Sequence, residues 1–201
     1  MVNAWRNTSF FDQDAGYADT GSWPAEDMSW NAIVAGVWAT EQATGSPVFV
    51  DPWLAYTSGL RLPTEAEWEY AYRAGTATAY HGTPLLPYGS NDGSDGVISQ
   101  IAWCSSGGAQ TRTEAVGLKS PNGFGLYDMG GNVAEWCNDW YGNYASGPQT
   151  DPSGPASGSN KVVRNGSWKS GAAAVRSSER SPADPQTGYS DTVGLRVVKD
   201  P

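Results

Sequence analysis

The residue types that most often hold metals or act as nucleophiles are scarce in this chain. Among its 201 residues there are one histidine, His81, and two cysteines, Cys104 and Cys137. A structural zinc site needs four His or Cys ligands and a non-haem iron triad needs two histidines, so these residues cannot assemble either centre. Their spacing leaves open whether the cysteines form a disulfide or stay as two buried thiols.

A run of aspartate and glycine at residues 91–96 superficially resembles a calcium-binding loop. It reads Asn-Asp-Gly-Ser-Asp-Gly, and the carboxylate that a helix-loop-helix calcium site places at position twelve is missing. We therefore predict a surface turn here.

Acidic residues outnumber basic ones, with 21 Asp and Glu against 12 Lys and Arg and a net charge of −9. This excess repels nucleic acid and anionic lipid, so we expect no nucleic-acid partner. No apolar run approaches the roughly 20 residues that cross a bilayer, and the start lacks a signal-peptide pattern. We predict a monomer with no membrane insertion of this chain.

Two helices are predicted to position the polar side chains. Apolar residues at helical spacing predict a first helix over about 29–43. The second begins at Thr64, where Thr64 and Glu67 form a capping box, and it ends before Gly75.

Short strands and loops fill the rest of the chain. We predict a short strand at 48–50, a strand with a turn at 161–168 and a closing strand at 193–198. Residues 1–28 show no period and are predicted to be a loop-rich segment packed on a domain of residues 29–201. The 25 glycines and 13 prolines favour abundant irregular loops. Helices and strands that do not alternate predict an α+β fold.

Five short motifs follow one another in an order that is specific to one family. They are RLPTEAEWEYA at 61–71, GFGLYDM at 123–129, GNVAEW at 131–136, NGSW at 165–168 and GLR at 194–196. Together they resemble the formylglycine-generating-enzyme, or sulfatase-modifying factor, family from about residue 29 to the end. The resemblance implies a variant of the C-type lectin fold, with a small twisted antiparallel sheet, two helices and long irregular loops.

The resemblance also implies where an oxygen-dependent enzyme of this family carries its reactive cysteines, shortly after the Gly-Ser-aromatic motif. Residues 169–176 stand there as Lys-Ser-Gly-Ala-Ala-Ala-Val-Arg, without a cysteine. Serine and alanine cannot replace a thiolate that binds copper. Iron-dependent relatives use several histidines, which His81 alone cannot supply. We predict that the protein is not an enzyme; an oxidoreductase or accessory domain of the formylglycine-generating type is the alternative.

In arrangement the chain is most similar to the variable proteins of diversity-generating retroelements. Their variable residues lie between the Gly-Ser-Trp and Gly-x-Arg motifs, which implies a variable region over 166–196. Trp168 at one end and Leu195 with Val197 at the other would fix its backbone. We therefore predict a non-enzymatic ligand- or receptor-binding protein. The predicted ligand-binding residues are Trp168, Lys169, Ser170, Gly171, Ala173, Ala174, Ser177, Glu179, Ser181, Gln186, Thr187, Tyr189, Ser190 and Asp191.

The partner would be a protein or surface ligand, met on a virion or a cell surface. Tyr189, the edge of Trp168 if the fold exposes one, and small polar residues would supply contacts, as rigid rings and Ser, Gly and Asn do in antibody paratopes. The plain alternative is an ordinary polar loop of a family member that is not diversified. Arg176, Arg180 and Arg196 are expected to hold loop carbonyls and carboxylates as scaffold.

No cofactor is required, and Ca²⁺ is the one ion that the resemblance suggests. Some family members hold Ca²⁺ at the position that matches Asp128, Gly131, Val133 and Glu135, with two carboxylates and two backbone carbonyls. Without the ion, Glu135 is expected to accept backbone N–H groups and brace the aromatic loop.

Overall fold

The structure is a computed structural model that describes residues 5–6, 26, 29–34, 60–81, 98–105, 110–186 and 191–199. Its elements in chain order are β1 (Trp5–Arg6), α1 (Trp30–Val34), β2 (Leu60–Arg61), α2 (Glu65–Arg73), α3 (Ile98–Ile101), β3 (Ala102–Trp103), β4 (Gly130–Gly131), β5 (Ala134–Trp140), β6 (Lys161–Arg164), a 3₁₀ helix (Ala172–Val175), β7 (Arg180–Ala183), β8 (Val193–Leu195) and β9 (Val197–Lys199). The predicted strand at 48–50, the turn at 91–96 and the first helix beyond Val34 lie outside the described residues.

The largest sheet has four strands in the order β7-β6-β5-β8. Strand β6 pairs antiparallel with β5 and β7, while β8 lies parallel to β5. A second sheet has the order β1-β9-β2, and β3 pairs parallel with β4. The predicted variable region, residues 166–196, thus leaves the sheet after β6, returns as β7 and reaches β8.

Two strand predictions are corrected at the chain ends. The stretch 193–198, predicted as one closing strand, is divided at Arg196 into β8 and β9, which belong to different sheets. Within residues 1–28, predicted as loop, β1 pairs with β9 through Trp5 opposite Val198. A two-residue strand is too short to show a period, so the sequence pattern could not reveal it.

Helix α2 begins where the capping box predicts. The Thr64 hydroxyl accepts the Glu67 N–H at 3.2 Å, and the Glu67 carboxylate accepts the Thr64 N–H at 2.8 Å, which confirms the box. The Arg61 guanidinium binds the same carboxylate at 2.7 Å and lowers the pKa of Glu67. The helix ends at Arg73, and Gly75 follows with a φ of 86°.

The four-stranded sheet separates two clusters of buried side chains, because successive residues point to opposite faces of a strand. On one face Cys137 and Val162 pack with Trp68 of α2. On the other face Trp136 and Val163 pack against α1. Both faces are therefore covered by helices, which fixes α2 beneath the segment that follows β6.

The two cysteines are buried and lie in different clusters, and no disulfide joins them, which settles the question left open by the sequence. Burial raises the pKa of the Cys137 thiol well above its ordinary value. This thiol stays protonated near neutral pH and packs as a small apolar group.

Candidate ligand-binding surface

The predicted variable region starts with a tight turn after β6. Asn165 has a φ of 70°, and its side-chain amide donates to the Met129 carbonyl at 2.9 Å. A Cβ added at Gly166 would come within 2.8 Å of the Ser170 Cβ, so the turn closes only around glycine. The Ser170 hydroxyl in turn accepts the N–H of Ser167 at 3.0 Å. Ser170, predicted as a ligand contact, therefore has a structural task.

Trp168 anchors both ends of the segment. The residue is 7% exposed, and its backbone N–H donates to the Asn132 carbonyl at 2.8 Å. Its indole N–H donates to the Asp191 carbonyl at 3.0 Å. The Lys169 ammonium pairs with the Asp191 carboxylate at 2.9 Å, on the solvent side of the same junction. Residues 168–169 and 191 thus bring the two ends of the segment together.

Two tyrosine hydroxyls of the fixed domain donate hydrogen bonds to the backbone of the 3₁₀ helix. Tyr72 of α2 donates to the Val175 carbonyl at 2.7 Å, and Tyr80 donates to the Ala172 carbonyl at 3.0 Å. Burial raises the pKa of Tyr72, so its hydroxyl keeps the proton that it donates. Both acceptors are backbone carbonyls. These hydrogen bonds therefore do not depend on which solvent-facing side chains the 3₁₀ helix has.

The residues around the 3₁₀ helix are held through their backbone as well. The Ser105 N–H donates to the Ser170 carbonyl, and the Ser177 N–H donates to the Ala79 carbonyl, both at 2.8 Å. The Arg164 guanidinium donates to the Ser177 carbonyl. Every one of these partners lies outside the segment, in the fixed part of the domain.

The exposure of the predicted ligand-binding residues divides them into four groups. The exposed residues are Lys169, Gly171, Ser181, Gln186 and Asp191, and the half-buried ones are Ser170, Ala173, Ala174 and Glu179. The buried residues are Trp168 and Ser177. The remaining three, Thr187, Tyr189 and Ser190, lie outside the described residues. Ser177 has no exposed surface, so its prediction as a ligand contact is wrong. Trp168 is 7% exposed and so offers a ligand little of its edge, in line with its predicted role as a buried anchor.

Three further residues belong to this surface although they were not predicted. Ser178, Pro182 and Asp184 are exposed. Pro182 lies in β7, an edge strand of the largest sheet. The register of β7 on β6 decides its exposure, and that register could not be read from a strand of four residues.

A buried carboxylate ties this segment to α2 and to the loop after β5. Glu65 accepts hydrogen bonds from Arg164 at 2.9 Å, from Arg180 at 2.7 and 2.8 Å, and from the Tyr144 hydroxyl at 2.9 Å. Arg164 also pairs with Glu69 at 2.7 Å. Arg164 also binds the Ser177 carbonyl, and Arg180 is itself the first residue of β7. Through Glu65, these contacts fix the segment relative to α2.

The predicted scaffold role of the three arginines is confirmed. Arg176 donates to the Ala173 carbonyl at 2.7 Å, and Arg180 donates to the Gly142 carbonyl at 2.9 Å in addition to Glu65. Arg196 binds carbonyls and a carboxylate, as described next.

The residues predicted for calcium are all buried: Asp128, Gly131, Val133 and Glu135. Glu135 accepts Trp68 Nε1–H at 2.6 Å, Arg196 Nε–H at 3.0 Å and Arg196 Nη2–H at 2.8 Å. These donors are side chains, so the expectation of backbone donors to Glu135 is corrected.

Arg196 places a buried positive charge at this loop. Besides Glu135, its Nη2 donates to the carbonyls of Tyr127 and Asp128 at 3.0 and 3.3 Å. A Ca²⁺ ion bound to Glu135 would have to share that carboxylate with a buried guanidinium, and like charges this close repel strongly in the interior. The residues present therefore do not fit the ion.

His81 lies beneath the segment without a polar partner. It is 1% exposed, and its ring meets the Tyr72 ring edge-on with centroids 5.3 Å apart. Within the described residues neither ring nitrogen has a hydrogen-bond partner. Burial lowers the pKa of His81 to about 4, so the imidazole is neutral at physiological pH.

The described residues contain no group of three or more His, Cys, Asp or Glu side chains placed to hold a metal ion. None of their helices has the length and apolar character needed to span a bilayer.

Comparison with known proteins gave a family match and several relatives. A family model described as "Sulfatase-modifying factor enzyme 1-like domain" matches residues 3–201. The formylglycine-generating enzyme of Streptomyces coelicolor is 36% identical over 71% of this chain and 48% of its own length. That of Thermomonospora curvata is 33% identical over 86% of this chain and 64% of its own length. The chain thus spans about half to two thirds of these relatives.

A solved structure, Treponema denticola variable protein 1, is also similar to this chain. It superposes with a TM-score of 0.71 at 31% sequence identity, over 98% of this chain and 78% of its own.

Proposed function

The chain belongs to the sulfatase-modifying factor enzyme 1-like family, and we propose that within it this protein binds a ligand rather than catalyses a reaction. The ligand would be a protein or surface ligand, bound by the exposed side chains of residues 169–186 and 191. The similarity to a variable protein of known structure supports this proposal.

The observation that carries the proposal is the way the segment is attached. Tyr72, Tyr80 and Arg164 bind its backbone carbonyls, and Ser105 binds it through its own backbone. Apart from the Lys169–Asp191 ion pair, side chains that face solvent therefore contribute little to holding the loop. A surface of this kind can change its residues, and so its ligand, without loss of the fold.

The chemistry of the segment supports binding over catalysis. Residues 169–176 carry no thiol, and the buried Cys137 thiol is held in its protonated, poorly nucleophilic form. The alternative, an oxidoreductase or accessory domain, is favoured by the names of the curated relatives. Oxygen uptake by the purified protein with added copper and a cysteine-containing peptide would support that alternative.

The test uses two displayed libraries of the full chain. One randomises the exposed positions 171, 178, 181 and 186; the matched control randomises the buried positions 172, 175 and 177. We expect most members of the first library to fold and some to bind hen egg-white lysozyme, chosen as the probe. We expect most members of the control library to be lost to misfolding. Absence of binders from a well-folded first library would contradict the proposal.

A further inference from the structure

Tyr144 is strongly exposed and yet held in place. Its residue is 67% exposed, the largest value among the exposed large hydrophobic residues described. Its hydroxyl donates to Glu65 at 2.9 Å, and its ring lies 4.4 Å from the guanidinium carbon of Arg180. Two contacts of different kinds therefore fix the ring while leaving most of it in solvent.

The atoms that hold Tyr144 are themselves rigid. Glu65 has only 8% of its side chain exposed, and it is bound at the same time by Arg164, whose side chain is fully buried. Tyr141 covers the Arg180 guanidinium as well, with its ring centre at 4.3 Å. Little side-chain entropy thus remains for Tyr144 to lose when a ligand contacts it.

Tyr144 contacts the predicted variable region at Arg180. The Arg180 that it contacts is the first residue of β7, and the side chains of Arg180 and Pro182 share one face of that strand. Pro182 is exposed. The tyrosine ring therefore stands beside the second half of the segment, although it lies more than twenty residues before it in the chain.

We propose that Tyr144 is a fixed contact residue of the binding surface, shared by all ligands whatever residues the segment carries. Its hydroxyl is used by Glu65, so the part offered to a ligand is the apolar ring. The chemistry that fits is an apolar or aromatic side chain of a protein ligand, since rigid tyrosines supply such contact area in paratopes. This inference rests on the proposed function.

The test starts from lysozyme-binding clones of the library described above. In them we introduce Tyr144→Ala, Tyr144→Phe and, as a matched control, Leu118→Ala, whose side chain is equally exposed at 66% in another loop. We expect Tyr144→Ala to weaken lysozyme binding about tenfold or more, as for a central aromatic contact. Leu118→Ala should change it less than about twofold. Tyr144→Phe keeps the ring but loses the hydrogen bond to Glu65, so we expect it to weaken binding less than Tyr144→Ala does.

The outcomes separate the two proposals. If folded Tyr144→Ala clones bind lysozyme as tightly as their parents, the inference is overturned while the proposed function stands. If no lysozyme-binding clone is recovered at all, the proposed function fails and this inference falls with it. Should Tyr144→Ala not fold, hydrogen exchange of residues 141–146 decides: protection by lysozyme supports the contact, and unchanged exchange overturns it.

Discussion

The Tyr72 hydroxyl donates a 2.7 Å hydrogen bond to the backbone carbonyl of Val175, joining the main helix to the 3₁₀ helix of the binding segment. The bond spans 103 residues of sequence. It shows how a stretch rich in Ser, Gly and Ala can have a defined position, because side chains of the fixed domain bind its backbone carbonyls.

Tyr72→Phe should lower the free energy of unfolding by about 1–3 kcal/mol, because the buried Val175 carbonyl loses its donor. Urea unfolding of the variant and the parent measures the difference. Tyr70→Phe is the matched control, since Tyr70 is 62% exposed on the same helix, and it should change stability by less than about 0.5 kcal/mol. Equal losses in the two variants would contradict the role assigned to Tyr72.

Gly166→Ala and Gly171→Ala should differ sharply although they lie five residues apart. At Gly166 the new Cβ would come within 2.8 Å of Ser170 and 3.0 Å of Ala174, so we expect a loss of about 1–3 kcal/mol. At Gly171 a new Cβ meets no atom within 4 Å among the described residues. That variant should be neutral or slightly stabilised. Thermal unfolding of both proteins tests the contrast, and a destabilised Gly171→Ala would refute it.

His81 should make stability depend on pH. Its pKa is about 4 in the folded protein against an ordinary 6.5, so the unfolded chain binds the extra proton. The stabilisation is therefore complete above pH 6.5 and is lost as the pH falls toward 4, by up to about 3 kcal/mol. Urea unfolding between pH 4.5 and 7.5 measures this slope. His81→Phe should flatten it, and an unchanged slope in that variant would assign the effect to other groups.

Calcium should leave the protein unaffected, because Arg196 already supplies the positive charge next to Glu135. We expect the melting temperature to be the same in millimolar CaCl₂ and in EGTA. Arg196→Met should destabilise the fold by about 3–5 kcal/mol, since it leaves the buried Glu135 carboxylate without its cationic partner. If adding Ca²⁺ raised the melting temperature of the parent protein by several degrees, the protein would bind calcium and this prediction would be wrong.

The sequence predicted the family and the α+β fold of C-type lectin type, and both are confirmed. Features that depend only on residues close together in the chain were predicted correctly. The capping box of Thr64 and Glu67, three residues apart, is one of them. The burial of Ser177 was missed because it depends on Ala79 and Arg164, which lie far away in sequence. The sequence did not indicate a role for Tyr144, because Glu65 and Arg180 are far from it in the chain and only the fold brings them together.

The central claim is that the fixed domain holds the segment and that exposed side chains are replaceable. The direct test is urea unfolding of one variant that carries Gly171→Asn, Ser178→Tyr, Ser181→Asp and Gln186→Tyr together. We predict an unfolding free energy within about 1 kcal/mol of the parent, because each position is exposed. A loss of about 3 kcal/mol or more, or an unfolding transition that is no longer cooperative, would contradict the claim.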